Sequence, residues 1–190
     1  MRLGFVTGTT PDKWARGWRE RRRDPLELVP VDTAAEADAG LRDGSLDMCL
    51  VRLPLADPDG LHLVRLYDEV AVVAVPVGHF ATAADEVVTS DLAEEQLVLP
   101  HASGWVPDAP QLDWPPTTWR EAIEVVASGS GVAVVPLSVA RLYARKDVAT
   151  RPVTDLPPTT IGLTWLVARD GEDTQALVGI VKGRSANSSR

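Results

Sequence analysis

Cysteine is nearly absent: Cys49 is the only one in 190 residues. One thiol excludes a disulfide framework and any cysteine-based metal site, and its place inside an apolar run predicts a buried side chain. Histidine is scarce too. His62, His79 and His101 are scattered at spacings that match no metal-ligand pattern, so neither a metal nor another cofactor is expected. Apolar runs are short, and none approaches the roughly 20 residues of a membrane span. Met1-Arg2-Leu3 leads straight into a short strand, without the apolar core or small-residue cleavage site of an export signal. A cytoplasmic protein with no membrane contact is the expectation. An excess of positive charge is also lacking. Against 27 acidic residues stand 19 basic ones, for a net charge of −8, and gripping DNA phosphates needs a basic face. The run from Arg19 to Arg23 reads as a solvated helix flank. Catalytic signatures are missing as well: no G-x-S-x-G elbow, no P-loop, no G-x-G-x-x-G after a strand. His101 and Ser103 share one loop, but no orienting acid stands beside them, so an enzyme is not expected.

What is present is an alternation of short elements. Leu3 to Val6 reads as a strand. Thr10 as N-cap with Pro11 in the first turn starts a helix, on which Trp14 and Trp18 lie one above the other. Rings at that spacing pack against a core or a partner more often than they stack on a ligand. Leu26 to Val29 is a second strand, alternating enough to lie near a sheet edge. Thr33 and Glu36 form a capping box for an alanine-rich helix that runs to Leu41 and stops near Gly44. Leu46 to Val51 is a buried strand ending at Arg52. Strand, helix, strand, helix, strand predicts a parallel sheet with right-handed crossovers.

A second unit of this kind runs from Thr118 to Ser138. Thr118 and Glu121 make a capping box, and Trp119, Ala122, Ile123, Val126 and Ala127 share one helical face. Gly129-Ser130-Gly131 supplies a left-handed stop. Val132 to Val135 reads as a strand covered on both faces, closed by Pro136, with Ser138 placed to cap a helix from Val139 to Ala144. Glu172 to Lys182 reads as the closing helix, and Ser185 to Arg190 as a frayed tail. The segment 102–117, rich in proline and carrying Trp105 and Trp114, fits no pattern and reads equally as a cleft rim or a packing surface.

The wording of these stretches resembles the effector-binding domain of LysR-type transcriptional regulators. The opening LGFVTGTTP, the L-x-x-G-x-L-D-x-x-L-V segment from Leu41 to Val51, and the runs Leu61 to Glu69 and Val70 to Pro76 carry the resemblance. So do Gly78-His79-Phe80, Asp91-Leu92, Gln96 to Pro100, and the helix–glycine–strand–proline unit ending at Pro136. Each motif is weak alone; their order and spacing together are specific, and they span the chain to about Lys182. The resemblance implies an α/β fold of the periplasmic-binding-protein type 2 kind, two Rossmann-like lobes joined by two crossing strands. Lobe I is then residues 1–75 plus 156–190 and lobe II residues 76–155. The first crossing falls near Val70 to Val77 and the return near Val148 to Asp155, with Ile161 to Val167, Trp165 on it, as the strand leading back into lobe I.

Ligands of open α/β sheets bind beyond the carboxyl ends of the strands, where helix N-termini present free N–H groups. Thr9 and Thr10 follow the first strand, Thr33 the second and Arg52 the third. His101 and Ser103 follow a strand at Leu97 to Leu99, and Ser138 follows Pro136. Taken singly each hydroxyl is an ordinary N-cap, and Arg52 is as readily the partner of a surface aspartate. Together they suit a small carboxylate or similar anion. The resemblance implies that the positions of Thr10, Thr33 and Arg52, and the loops at His101 and Pro136, line an effector cleft. It further implies a small-molecule effector and a homodimer, with the Trp14/Trp18 helix as one surface for it. The family carries an N-terminal winged helix-turn-helix that this chain does not show. The expectation is therefore a sensor fragment, or a stand-alone sensor with no DNA contact of its own. Two other classes stay open: a small-molecule enzyme on the same two-lobe fold, and a cytoplasmic solute-binding protein.

Overall fold

A computed structural model describes residues 1–115 and 117–183. The Ser185–Arg190 tail lies outside the described residues. The chain forms two compact units, unit 1 from Met1–Asp68 with Thr160–Arg190 and unit 2 from Glu69–Thr159.

Unit 1 is built on a five-stranded sheet in the order β2-β1-β3-β8-β4. Its strands are β1 (Arg2–Val6), β2 (Glu27–Val31), β3 (Met48–Arg52), β4 (Leu61–Glu69) and β8 (Thr159–Leu166). β1 pairs in parallel with β2 and β3, while β8 returns antiparallel to β3. The helices are α1 (Asp12–Arg21), α2 (Ala34–Asp43) and α5 (Glu172–Val181). β3 shows why its sequence is apolar throughout. Met48 and Leu50 face a core with Trp18, Trp165 and Leu177 from the α1 and α5 side. Cys49 and Val51 face the opposite core with Ala37 and Leu41 of α2. A strand covered on both faces has no place for polar alternation. The Thr33–Glu36 capping box forms, and Gly44 (φ +80°) ends α2 in the left-handed region that favours glycine.

Unit 2 holds a three-stranded antiparallel sheet, β6-β5-β7, made of β5 (Ala71–Pro76), β6 (Ala133–Pro136) and β7 (Val148–Pro152). Alternate residues of β5 serve two cores. Val73 and Val75 face Val87, Leu92 and Val134, and Val72 and Ala74 face Ile123 and Val126 of α3 (Trp119–Ala127) and Val139 of α4 (Leu137–Leu142). The Thr118–Glu121 capping box forms here too.

Several expectations change. The units divide at 68/69 and 159/160, not at 75/76 and 155/156. β5 is the central strand of the second sheet, held between β6 and β7, and lies wholly within unit 2. The anticipated strand at Leu97–Leu99 is a single parallel bridge, Leu97 to Val132. Thr10 does not cap α1: Pro11 takes that position with helical dihedrals and no side-chain cap, and its carbonyl accepts from the N–H groups of Trp14 and Ala15. Ser138 does not cap α4, because the helix starts two residues earlier, at Leu137, with Pro136 as its cap. The Trp14/Trp18 pair faces the core of its own unit. Trp18 is fully buried and donates from Nε1 to the Asp24 carbonyl at 2.7 Å, and Trp14 packs half-buried on the same core.

Candidate functional site

Because β1, β2 and β3 run parallel, their carboxyl ends meet at one edge of the first sheet, with Val6 level with Val31 and Phe5 with Leu50. Thr9, Thr10, Thr33 and Arg52 all lie at this edge. Thr9 is buried, and both its backbone N–H and its hydroxyl donate to the Val6 carbonyl (3.1 and 2.7 Å), closing the end of β1. Thr10 is exposed. Thr33 is exposed, and its hydroxyl accepts from Glu36 N–H at 3.1 Å as the cap of α2. The turns after β1 and β2 touch, the Thr7 hydroxyl donating to Asp32 Oδ1 at 3.4 Å. Arg52 is the half-buried last residue of β3, opposite Ile161 of β8, and holds an interaction of its own.

Sequence reasoning missed one cluster in this unit. Thr160 accepts from Leu53 N–H at 2.9 Å through its carbonyl, at the end of β3. Its hydroxyl accepts from Arg65 Nη2 (2.8 Å) and donates to Asp68 Oδ1 (2.6 Å). These partners stand 95 and 92 residues from Thr160 in the chain, so no local spacing betrays them. The two residues that bound unit 1, Asp68 and Thr160, are thereby joined to each other.

In unit 2, His101 is 3% exposed. Its Nδ1 accepts from Ser103 N–H at 3.2 Å and lies 3.0 Å from the Ser103 hydroxyl. The backbone donor places the ring proton on Nε2, which has no partner among the described residues. Burial pushes the imidazole pKa below its usual range. Ser103 Oγ also accepts from Trp105 N–H at 3.3 Å. Pro136 is buried at the end of β6, with extended dihedrals that turn the chain into α4.

The irregular segment after Ser103 is held by two glutamines that sequence reasoning also missed. Gln111 Oε1 accepts from Leu97 N–H (2.7 Å), and its Nε2 donates to the Glu95 and Ala109 carbonyls (3.0 and 2.9 Å). Gln96 answers, its Oε1 accepting from Leu112 N–H and its Nε2 donating to the Pro110 carbonyl, both at 2.9 Å. A Cβ at Gly131 would stand 2.6 Å from the Gln96 carbonyl, so only glycine lets Val132 approach here. The units differ in charge as well: unit 1 has 14 basic and 15 acidic residues, unit 2 has 5 and 12. Among the described residues no group of three or more His, Cys, Asp and Glu could hold a metal ion. No helix among them is long and apolar enough to cross a membrane.

A sheet with three parallel strand ends gathered at one edge, paired with a smaller antiparallel unit, defines the class. The model of the LysR substrate binding domain matches residues 19–186, and the chain belongs to that family. A relative from Mycobacterium avium, named a probable hydrogen peroxide-inducible genes activator, is 28% identical over 162 residues, 77% of this chain and 52% of that protein. The HTH-type transcriptional regulator AlsR of Bacillus subtilis is 22% identical over 193 residues, 93% of this chain and 62% of that protein. The chain thus spans about half the length of the curated relatives it matches first. Among solved structures, the BenM effector binding domain with its effector benzoate superposes with a TM-score of 0.77 at 20% identity, covering 96% of this chain and 90% of that one. The reduced OxyR regulatory domain from Pseudomonas aeruginosa gives 0.72 at 21% identity, covering 96% and 95%. These likenesses establish the fold, two α/β lobes of the periplasmic-binding-protein type 2 kind.

Proposed function

We propose that the chain is the effector-sensing domain of a LysR-type regulator and that its effector is a small carboxylate or similar anion. The carrying observation is the edge of unit 1, where Arg52 ends β3 at the same edge as the threonine-bearing turns that end β1, its neighbour, and β2, one strand further on. An incoming carboxylate meets the N-terminus of α2 there and competes for the guanidinium of Arg52. The solved relative that holds benzoate makes that anion the first probe. Thr9 has a lesser part, since its hydroxyl proton is committed to Val6. In unit 2, His101, Ser103 and Pro136 belong to the same proposal as separate contributors. The reading involves no turnover, a homodimer in the cytoplasm, and a response passed on as a shift between conformations that bind the effector unequally.

The relatives named as hydrogen peroxide-inducible activators raise a second reading, a peroxide-sensing thiol. Cys49 argues against it. The side chain is fully buried between the sheet and α2, and burial pushes its thiol pKa up to about 12. The thiolate is the reactive form, and at neutral pH this site holds almost none.

A thermal-shift screen of carboxylates, amino acids and phosphorylated metabolites tests the proposal. At about 100 times its dissociation constant a ligand stabilises by about 2.7 kcal/mol, or about 5–10 °C for a chain of this size. The rise should disappear in Arg52→Ala and shrink in Thr10→Ala. A rise of equal size in Arg52→Ala sinks the anion site, and no rise across the panel sinks the sensing function.

A further inference from the structure

The carboxyl edge of the first sheet is not uniform in charge. β1 stays in register with β2 up to Val6 and Val31, and with β3 up to Phe5 and Leu50. Continued to the strand ends, that register sets Asp32, Thr7 and Arg52 level with one another on β2, β1 and β3. The Thr7 hydroxyl donating to Asp32 Oδ1 shows the row persisting past the last paired residues of β1 and β2. Level residues of this sheet share a face: Phe5 and Leu50 pack in one core, Val6, Val31 and Val51 in the other. An acid and a base therefore stand at the two ends of the row, two strand spacings or about 10 Å apart at the backbone, with a hydroxyl between them. Resting on the anion-binding reading of this edge, we propose that the effector is a zwitterion whose anionic group is taken by Arg52 and whose cationic group is taken by Asp32.

The polarity of the edge carries this choice. At the β2 end, Asp32 and Glu36 both lie at the entrance of α2, and both are exposed. Glu36 is committed to the helix, its Oε2 accepting from the backbone N–H groups of Asp32 and Thr33 at 2.8 and 3.4 Å. The negative charge that a helix N-terminus attracts is thus in part supplied from within the chain. Asp32 adds a second carboxylate, and its contact with Thr7, at 3.4 Å, is a long one. At the entrance of α1, Asp12 and Lys13 are both exposed and offset each other. On the far side of Arg52, Arg65 and Asp68 are joined through the Thr160 hydroxyl. What remains is a negative β2 end and a positive β3 end.

A simple carboxylate drawn to Arg52 meets repulsion from Asp32 and Glu36. A molecule with a cation at its other end turns the Asp32 contribution into attraction. Arg52 holds an interaction of its own, with which the anionic group competes, and the second contact at Asp32 adds to a hold that this competition weakens. Because Asp32 is exposed, the gain is that of a surface ion pair, a preference of about fivefold.

Two matched series of probes test the proposal on the full chain: ω-amino carboxylates from glycine to 6-aminohexanoate, and the alkanoates of the same chain length from acetate to hexanoate. Dissociation constants from calorimetric titration are compared pair by pair at low ionic strength, where exposed charges are least screened. At the chain length that spans the row, the amino carboxylate should bind about fivefold tighter than its alkanoate. Asp32→Asn, which keeps an oxygen acceptor for Thr7, should remove that preference, and Asp32→Glu should retain it. Arg52→Ala should abolish binding of both series. A preference that survives Asp32→Asn, or no preference at any chain length while alkanoates bind through Arg52, would overturn the zwitterion and leave the anion site standing. Binding of neither series, or binding unaffected by Arg52→Ala, would overturn both.

Discussion

The two units satisfy their backbones by different means. In unit 1 the polar groups of β1 and β3 are paired within a five-stranded sheet, and short turns join strand to helix. Among the described residues unit 2 has only three strands, and those from 77 to 118 form no strand and no α-helix. Side chains do the pairing there. Gln96 and Gln111 bond to backbone on both sides, Asp91 accepts from Val88 N–H, Asp155 accepts from Thr89 N–H, and Arg151 donates to the carbonyls of Thr82 and Ala84. Every buried backbone group needs a partner, but the two solutions differ in fragility. A sheet keeps its ladder whatever the side chain, whereas one substitution at a glutamine removes several bonds at once.

The largest effect sharpens the comparison from the side of unit 1. Trp18→Ala empties a fully buried site between α1, α5 and the sheet and strands the Asp24 carbonyl. A loss of about 3–5 kcal/mol is expected in urea denaturation. Amide exchange should show the loosening in unit 1 helices. A loss below about 1 kcal/mol would mean that the core is not packed as described.

The next effect sets like against like. Gln111→Ala leaves Leu97 N–H and the carbonyls of Glu95 and Ala109 without their partner, for a cost of about 1–3 kcal/mol. Gln175→Ala in unit 1 removes one exposed bond to Asp170, whose carboxylate also holds Trp165 and Thr174; the expected cost is under about 0.5 kcal/mol. Similar losses for the two would break the contrast between ladder and side-chain pairing.

That contrast also governs how far the sequence could be read. Most of unit 1 was legible, because a strand buried on both faces and a threonine–glutamate cap leave local marks, as Met48 to Val51 and Thr33 to Glu36 do. The exceptions were non-local or ambiguous. Thr160 meets Arg65 and Asp68 only through the sheet. The spacing of Trp14 and Trp18 defined a helix face without saying what covers it. At Thr10 a cap residue stood before Pro11, whose own dihedrals were already helical. In unit 2 the apolar run of β5 was visible, but its place between β6 and β7 depends on pairing across the chain. Gln96 and Gln111 stand outside any periodic pattern, so the segment they hold was read as irregular chain. The candidate residues Thr33 and Arg52 were legible as types at strand ends; the single bridge that replaces the strand before His101, and the burial of Thr9 and His101, were not.

Where both units use the same local device, the difference should vanish. Thr33→Ala and Thr118→Ala each remove a side-chain acceptor from the third residue of a helix and one half of a capping box. Each should cost about 1 kcal/mol, read as equal shifts in the urea midpoint. Unequal costs would show that one cap carries tertiary weight beyond its helix.

The smallest effect is absent at neutral pH and grows only on the acid side. His101 is buried with Nδ1 accepting from Ser103 N–H, and burial holds its pKa below the ordinary 6.5. The unfolded chain therefore takes up the proton first as pH falls, and stability declines from about pH 6.5 downward until the folded-state value is passed, below which the loss is constant. Each unit of displacement is worth about 1.4 kcal/mol. His101→Asn gives the ring up for a group that does not titrate, so the acid slope in this range should flatten relative to the parent chain. In urea titrations at several pH values, a slope unchanged by the substitution would place the acid sensitivity elsewhere, on the carboxylates such as Asp155 and Asp170 whose pKa values hydrogen bonds hold low. Their contribution is lost only at lower pH, as protonation breaks those bonds, and this separates the two origins on the pH axis.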